Sequence, residues 1–205
     1  MANSLYIASI EPESGKSVVA LGIMEMLSRR VGRVGYFRPI IPTAQKRDND
    51  IELIRQRYHL DQTYYETFAF THNAVQTLSA GSLNPGILKQ IVDRYRQLQQ
   101  KCRFVLCEGT DFTGVSSAFE FDMNADVASN LGSPILMLIN GNEKSPEEVV
   151  ETIALGIEAF THRECDVAAV IVNRVEKSEL DAVRAAIGSG VKNDLPVWAL
   201  PEMPI

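Results

Sequence analysis

Six short apolar runs punctuate the chain: Leu5 to Ser9, Val34 to Phe37, Phe104 to Cys107, Ile135 to Ile139, Val167 to Val172 and Val197 to Leu200. Each is continuous rather than alternating, which is the mark of a strand buried on both faces of a sheet. Between them the apolar spacing turns helical, over Ser17 to Arg30, Asp50 to Tyr58, Pro85 to Gln100, Glu120 to Leu131, Pro146 to Phe160 and Ser178 to Ile187. Strand and helix in alternation predict an α/β fold: a doubly wound, mainly parallel sheet with helices on both faces and right-handed crossovers.

Local signals sharpen some boundaries. In Ser145-Pro146-Glu147-Glu148 the serine can cap, the proline suits a first turn and the acids favour the positive end of a helix. Tyr64 to Asn84 is less regular and predicts a loop with a short helix. A length of 205 residues suits one domain with a sizeable core, and no repeat or low-complexity linker divides it. The proline-rich stretch Pro201 to Ile205 reads as a domain boundary as readily as a natural end, so a domain cut from a longer chain is an expectation here.

Composition narrows the class. Hydrophobic residues at 45% and charged residues at 22% are ordinary for a globular protein. Twenty Lys and Arg against 26 Asp and Glu give a net charge of −6 with scattered basic residues, which argues against nucleic acid as a partner. No apolar run approaches the roughly 20 residues of a membrane helix, and no export signal is visible, so a cytoplasmic location is expected. Cys102, Cys107 and Cys165 lack metal-site or redox spacing and read as reduced core residues. His59, His72 and His162 each stand alone, as packing or surface histidines do.

The chemistry concentrates after the first strand, in Ser9-Ile10-Glu11-Pro12-Glu13-Ser14-Gly15-Lys16-Ser17. Placed between strand and helix, it reads as a phosphate-binding loop. Backbone N–H groups of the turn would cradle phosphate oxygens, Lys16 would reach the β- and γ-phosphates, and Ser17 would ligate Mg²⁺. Ile10 stands where the first motif glycine belongs. Three acids suit a metal: Glu13 in the loop, Asp50 opening a later helix, and Glu108 ending a strand. Asp48-Asn49-Asp50 is equally a helix N-cap. Arg38, at another strand end, is either a fixed cation for phosphate or carboxylate or a surface arginine. Asn173 could read an adenine edge or cap a strand. Thr110 and Asp111 face the crevice or, on the simpler reading, form a turn.

In order, Glu13-Ser14-Gly15-Lys16-Ser17, Gly35-Tyr36-Phe37-Arg38-Pro39, Asp50, Cys107-Glu108-Gly109, Val172-Asn173-Arg174-Val175 and Leu200-Pro201-Glu202 resemble the dethiobiotin synthetase-like group of P-loop proteins. Within it, Glu11 to Ser17, Gly35 to Ile41 and Phe119-Glu120-Phe121-Asp122-Met123-Asn124 are most similar to the N-terminal domain of long-form phosphotransacetylases, whose acetyltransferase chemistry lies in a separate C-terminal domain. The resemblance implies a regulatory or assembly domain, non-catalytic or a weak NTPase, binding ATP or another nucleotide or metabolite with Mg²⁺ and forming a homodimer. Nucleotide would contact Glu13, Ser14, Gly15, Lys16, Ser17, Asn173 and Pro201, and metal would contact Ser17, Asp50 and Glu108. The other reading is an ATP-dependent carboxylate–amine ligase with Lys16 and Arg38 at its centre. Against it, Arg38 replaces a lysine after one extra residue, and Thr110-Asp111-Phe112 replaces a glycine-rich segment. A scaffold with a relic loop ranks third.

Overall fold

In a computed structural model, residues 3–78, 84–110, 117–191 and 194–203 are described. Asp111 and Phe112 lie outside them. The order of elements is β1 Ser4–Ser9, α1 Lys16–Arg30, β2 Val34–Phe37, β3 Ile40–Ile41, α2 Asn49–Arg57, a 3₁₀ turn Tyr64–Glu66, β4 Phe70–Thr71, α3 His72–Leu78, α4 Pro85–Lys101, β5 Phe104–Glu108, α5 Ser117–Leu131, β6 Ile135–Asn140, α6 Pro146–His162, β7 Val167–Val175, α7 Leu180–Gly190 and β8 Val197–Pro201.

Six strands form one sheet in the order β2-β5-β1-β6-β7-β8, and every ladder in it is parallel. β1 is central: Tyr6 stands opposite Cys107 of β5 on one side and Ile135 of β6 on the other. Successive β1 side chains go to opposite faces, as the pleat requires. Tyr6 and Ala8 pack with residues of α4, α5, α6 and α7, while Ile7 packs with Val19, Ala20 and Met24 of α1 and with Ile51 and Ile54 of α2. Helices cover both faces of the central strands, whose middles are apolar, while the edge strand β8 leaves Trp198 and Leu200 exposed; the doubly wound expectation is met.

Differences from the sequence reading are local. β3 and β4 form a separate two-stranded parallel sheet that the pattern did not reveal, because two residues are too few to carry a period. β7 runs on to Val175, so Asn173 lies inside the strand rather than at its end. The short helix expected between Tyr64 and Asn84 is α3, preceded by the 3₁₀ turn. Ser145 and Glu148 form the reciprocal cap of α6, with Pro146 in its first turn. The three cysteines are free thiols. Among the described residues no helix is long and apolar enough to cross a membrane.

Candidate functional site

Parallel strands send all their carboxyl ends to one edge, and there the chain loops out of β1, β2, β5 and β7 converge. The loop after β1 is tied down along its length. Glu11 N–H donates to Ser9 Oγ at 3.1 Å, and the Glu11 carboxylate accepts from Lys144 Nζ at 2.6 and 2.7 Å. Ile10 does not behave as a failed glycine: its side chain packs on the core beside Gly156, where an added Cβ would stand 3.0 Å from Ile10 Cδ1.

The turn into α1 requires glycine on two counts. Gly15 has φ +76°, and a Cβ there would stand 2.4 Å from Asn173 Nδ2. That amide donates to the Ser14 carbonyl at 2.9 Å, so Asn173 braces the loop with one of its two N–H groups. The next residue, Arg174, donates to the Glu13 carbonyl at 3.0 Å and pairs with Glu202 at 3.0 Å. Glu13 is the one proposed metal acid whose carboxylate turns elsewhere: it is 82% exposed and faces Arg174 at 3.7 Å.

Lys16 and Ser17 open α1. Lys16 is buried, and its ammonium donates to the Thr110 carbonyl just beyond β5 at 2.6 Å. Ser17 Oγ donates to Asp50 Oδ2 at 2.9 Å, so the serine and the acid expected to share a metal are brought together across 33 residues of sequence. Arg38 is no surface arginine: it is 2% exposed, with Nη1 2.9 Å from both Asp48 Oδ2 and Asp50 Oδ2. Asp48 also caps α2, accepting from the N–H groups of Asp50 and Ile51.

Glu108 is wholly buried and accepts a 2.5 Å bond from the Tyr36 hydroxyl. Burial raises its carboxyl to a pKa of about 7, against the opposing pull of the Arg38 charge and the Tyr36 hydrogen bond. Among the described residues its Oε1 has no hydrogen-bond partner. Asp50 and Lys16 lie near enough for their charges to act on Glu108, and carboxylate and hydroxyl oxygens such as those of Asp50, Glu108 and Ser17 are hard donors of the kind Mg²⁺ takes. The described residues contain no group of three or more His, Cys, Asp or Glu that could hold a metal, so phosphate oxygens and water would have to complete a shell around Ser17, Asp50 and Glu108. Mg²⁺ would also contend with Arg38 for Asp50 Oδ2.

Beside the loop, Gly15, Val18, Asn173, Arg174, Pro201 and Met203 bound an open cleft of about 890 Å³. Val18 and Met203 present exposed apolar surface there, suited to the face of a planar ring. Pro201 is thus placed in the same cleft as Asn173. The sequence did not show the contacts of six residues: Asp48 read as a helix cap, Thr110 as a turn or crevice residue and His72 as a lone histidine, while Tyr36, Asn124 and Arg174 stood only within motif stretches. His72 lies 3.6 Å from the buried Glu120 carboxylate.

A central strand, a glycine turn and a helix opening on Lys-Ser, at the carboxyl edge of a parallel sheet, define a P-loop NTPase-like fold. Solved structures agree on the fold. The signal recognition particle 54 kDa protein of Aeropyrum pernix superposes with a TM-score of 0.60 at 12% identity, over 98% of this chain and 42% of that one. Hydrogenase maturation factor HypB of Archaeoglobus fulgidus superposes with a TM-score of 0.53 at 14% identity, over 98% and 81%.

The particular family follows from sequence: residues 3–199 match a family model described as an AAA domain, and the chain belongs to that family. It is 39% identical over 208 residues to a phosphate acetyltransferase of Nitratidesulfovibrio vulgaris, covering 98% of this chain and 30% of the relative. A phosphate acetyltransferase of Synechocystis is 37% identical over 190 residues, 91% of this chain and 27% of the relative. The ATP-dependent dethiobiotin synthetase of Clostridium kluyveri is more distant, at 27% identity over 54% of this chain and 49% of the relative. The chain thus spans under a third of the phosphate acetyltransferases it matches, and the resemblance to their N-terminal domain is borne out.

Proposed function

We propose that the chain is a nucleotide-responsive regulatory or assembly domain of a phosphate acetyltransferase, taking Mg²⁺ and ATP in the crevice between the β1 loop, Asp50 and Glu108. The observation that carries this reading is the meeting of Ser17 Oγ and Asp50 Oδ2 at 2.9 Å beside a loop that aims Lys16 at the same crevice. Phosphates would lie along the backbone N–H groups of Ser14 to Ser17 and against Lys16, with the base in the cleft between Val18 and Met203. Bound Mg²⁺ would neutralise phosphate charge, and the protein side chains nearest it would be Ser17, Asp50 and Glu108.

Regulation fits better than ligation because of Arg38. A ligase needs a cation presented to its acid substrate, whereas the Arg38 guanidinium is buried and pairs with Asp48 and Asp50. The acyl-transfer site would belong to a further domain of the same polypeptide, the domain would act as a homodimer, and its location would be cytoplasmic. Calorimetry of the purified chain with Mg-ATP and Mg-ADP, beside Lys16→Ala, tests the nucleotide site. Binding that is lost in the variant is the expected result, and no heat from either protein at millimolar nucleotide would overturn the reading. Light scattering tests the dimer.

A further inference from the structure

Helix α5 carries two buried polar side chains one turn apart, Glu120 and Asn124, while its Met123, Val127 and Ala128 pack into the core. A buried amide is costly unless its hydrogen bonds are met, so its partners show what it is for. Asn124 Oδ1 accepts from the Tyr6 hydroxyl at 3.0 Å, from the Thr110 backbone N–H at 2.9 Å and from the Thr110 hydroxyl at 3.3 Å. Its Nδ2 donates to the Thr110 carbonyl at 3.4 Å, and that same carbonyl receives Lys16 Nζ at 2.6 Å. Gly109 makes the approach possible, since a Cβ there would stand 2.5 Å from Asn124 Oδ1. One amide therefore grips the donor and acceptor groups of Thr110, and Thr110 in turn grips the ammonium.

We infer that Asn124 is the positioning residue for Lys16: through Thr110 it holds the ammonium at the carboxyl end of β5, ordered before any phosphate arrives. The consequence for affinity rests on the nucleotide reading above, but the contact does not. Lysine has four side-chain torsions, and ordering them at the moment of binding weakens binding. An ammonium anchored by folding has already lost that freedom, and with three N–H donors it can keep the Thr110 carbonyl while it makes a charge-assisted bond to a phosphate oxygen.

The first test needs no nucleotide. The free protein is acetylated with limiting acetic anhydride and Lys16 modification is read by mass spectrometry against Lys89, an exposed residue of α4. In Asn124→Ala, Lys16 should react several-fold faster relative to Lys89 than in the wild type; an unchanged ratio in a folded variant overturns the inference. Should that variant fail to fold, Asn124→Ser keeps a hydroxyl in the same space and is expected to give the same increase.

The second test is a double-mutant cycle by calorimetry. Asn124→Ala should weaken Mg-ATP by about fivefold to tenfold, roughly the worth of one ordered hydrogen bond, and leave adenosine unchanged. In a Lys16→Ala background it should do nothing further. Equal weakening of adenosine, or full additivity with Lys16→Ala, assigns Asn124 a merely structural part. If the wild type binds no nucleotide, the functional reading fails while the acetylation result still decides the anchor.

Discussion

Glu108 carries its proton to unusually high pH because every route to stabilising its charge falls short of the cost of burial. Tyr36 donates to one oxygen, and Lys16 and Arg38 contribute positive charge, but Asp50 adds negative charge and the interior withholds water. A carboxyl whose folded pKa stands above its unfolded value stabilises the fold fully below about pH 4.5, and that contribution is lost as the pH rises towards 7. The integrated effect is on the order of 3 kcal/mol at most. Glu108→Gln stays neutral, so denaturant unfolding at pH 5 and pH 7.5 should show the variant gaining on the wild type as pH rises; a constant difference would place the proton elsewhere. The sequence identified Glu108 and Arg38 by their positions at strand ends. It did not show that Arg38 is enclosed, because its partner Asp48 looks like any helix cap, and a residue that caps and pairs at once leaves one signature for two tasks. Asn124 was visible only as part of a resemblance, since its partners Tyr6 and Thr110 lie 118 and 14 residues away.

Among the elements, the central strands were legible because burial on both faces leaves uninterrupted apolar runs, and helices such as α6 because cap and spacing agree. β3 and β4 were illegible for the opposite reason: two residues of strand contain no pattern. The β1–α1 loop holds the more instructive case. Its missing glycine looked like damage, yet Ile10 fastens the loop to the core beside α6, while Glu11 reaches Lys144 and the Asn140 N–H at the end of β6. Restoring the motif should therefore harm the protein. Ile10→Gly removes partly buried apolar surface and adds backbone freedom, at about 2 kcal/mol or somewhat more. Thermal unfolding should register that loss, and Mg-ATP affinity should not improve; a tighter variant would mean that Ile10 does obstruct the loop.

On the scale of the whole molecule, the strand order gathers contacts from distant parts of the chain into one crevice. Lys16 at the start of α1 meets Thr110 after β5, Asn173 of β7 braces Ser14, and Arg174 links the Glu13 carbonyl to Glu202 beyond β8. A ligand seated on the loop would bear on residues from both sides of the central strand, so its binding energy should appear in the unfolding of the entire domain. A ligand that binds only the folded state at about 100 times its Kd stabilises by roughly 2.7 kcal/mol. For a domain of this size each kcal/mol moves Tm by about 2–4 °C, which sets the expected rise at roughly 5–10 °C in Mg-ATP. Adenosine, which lacks the phosphates that Lys16 would meet, should give a much smaller shift. Lys16→Ala should abolish the difference between the two ligands. A single cooperative transition that moves as a whole is the expected form. Separate transitions, with only one shifted by Mg-ATP, would show that the crevice does not couple the two sides of the sheet, and a Tm indifferent to millimolar Mg-ATP would leave the loop as a structural feature of an assembly domain.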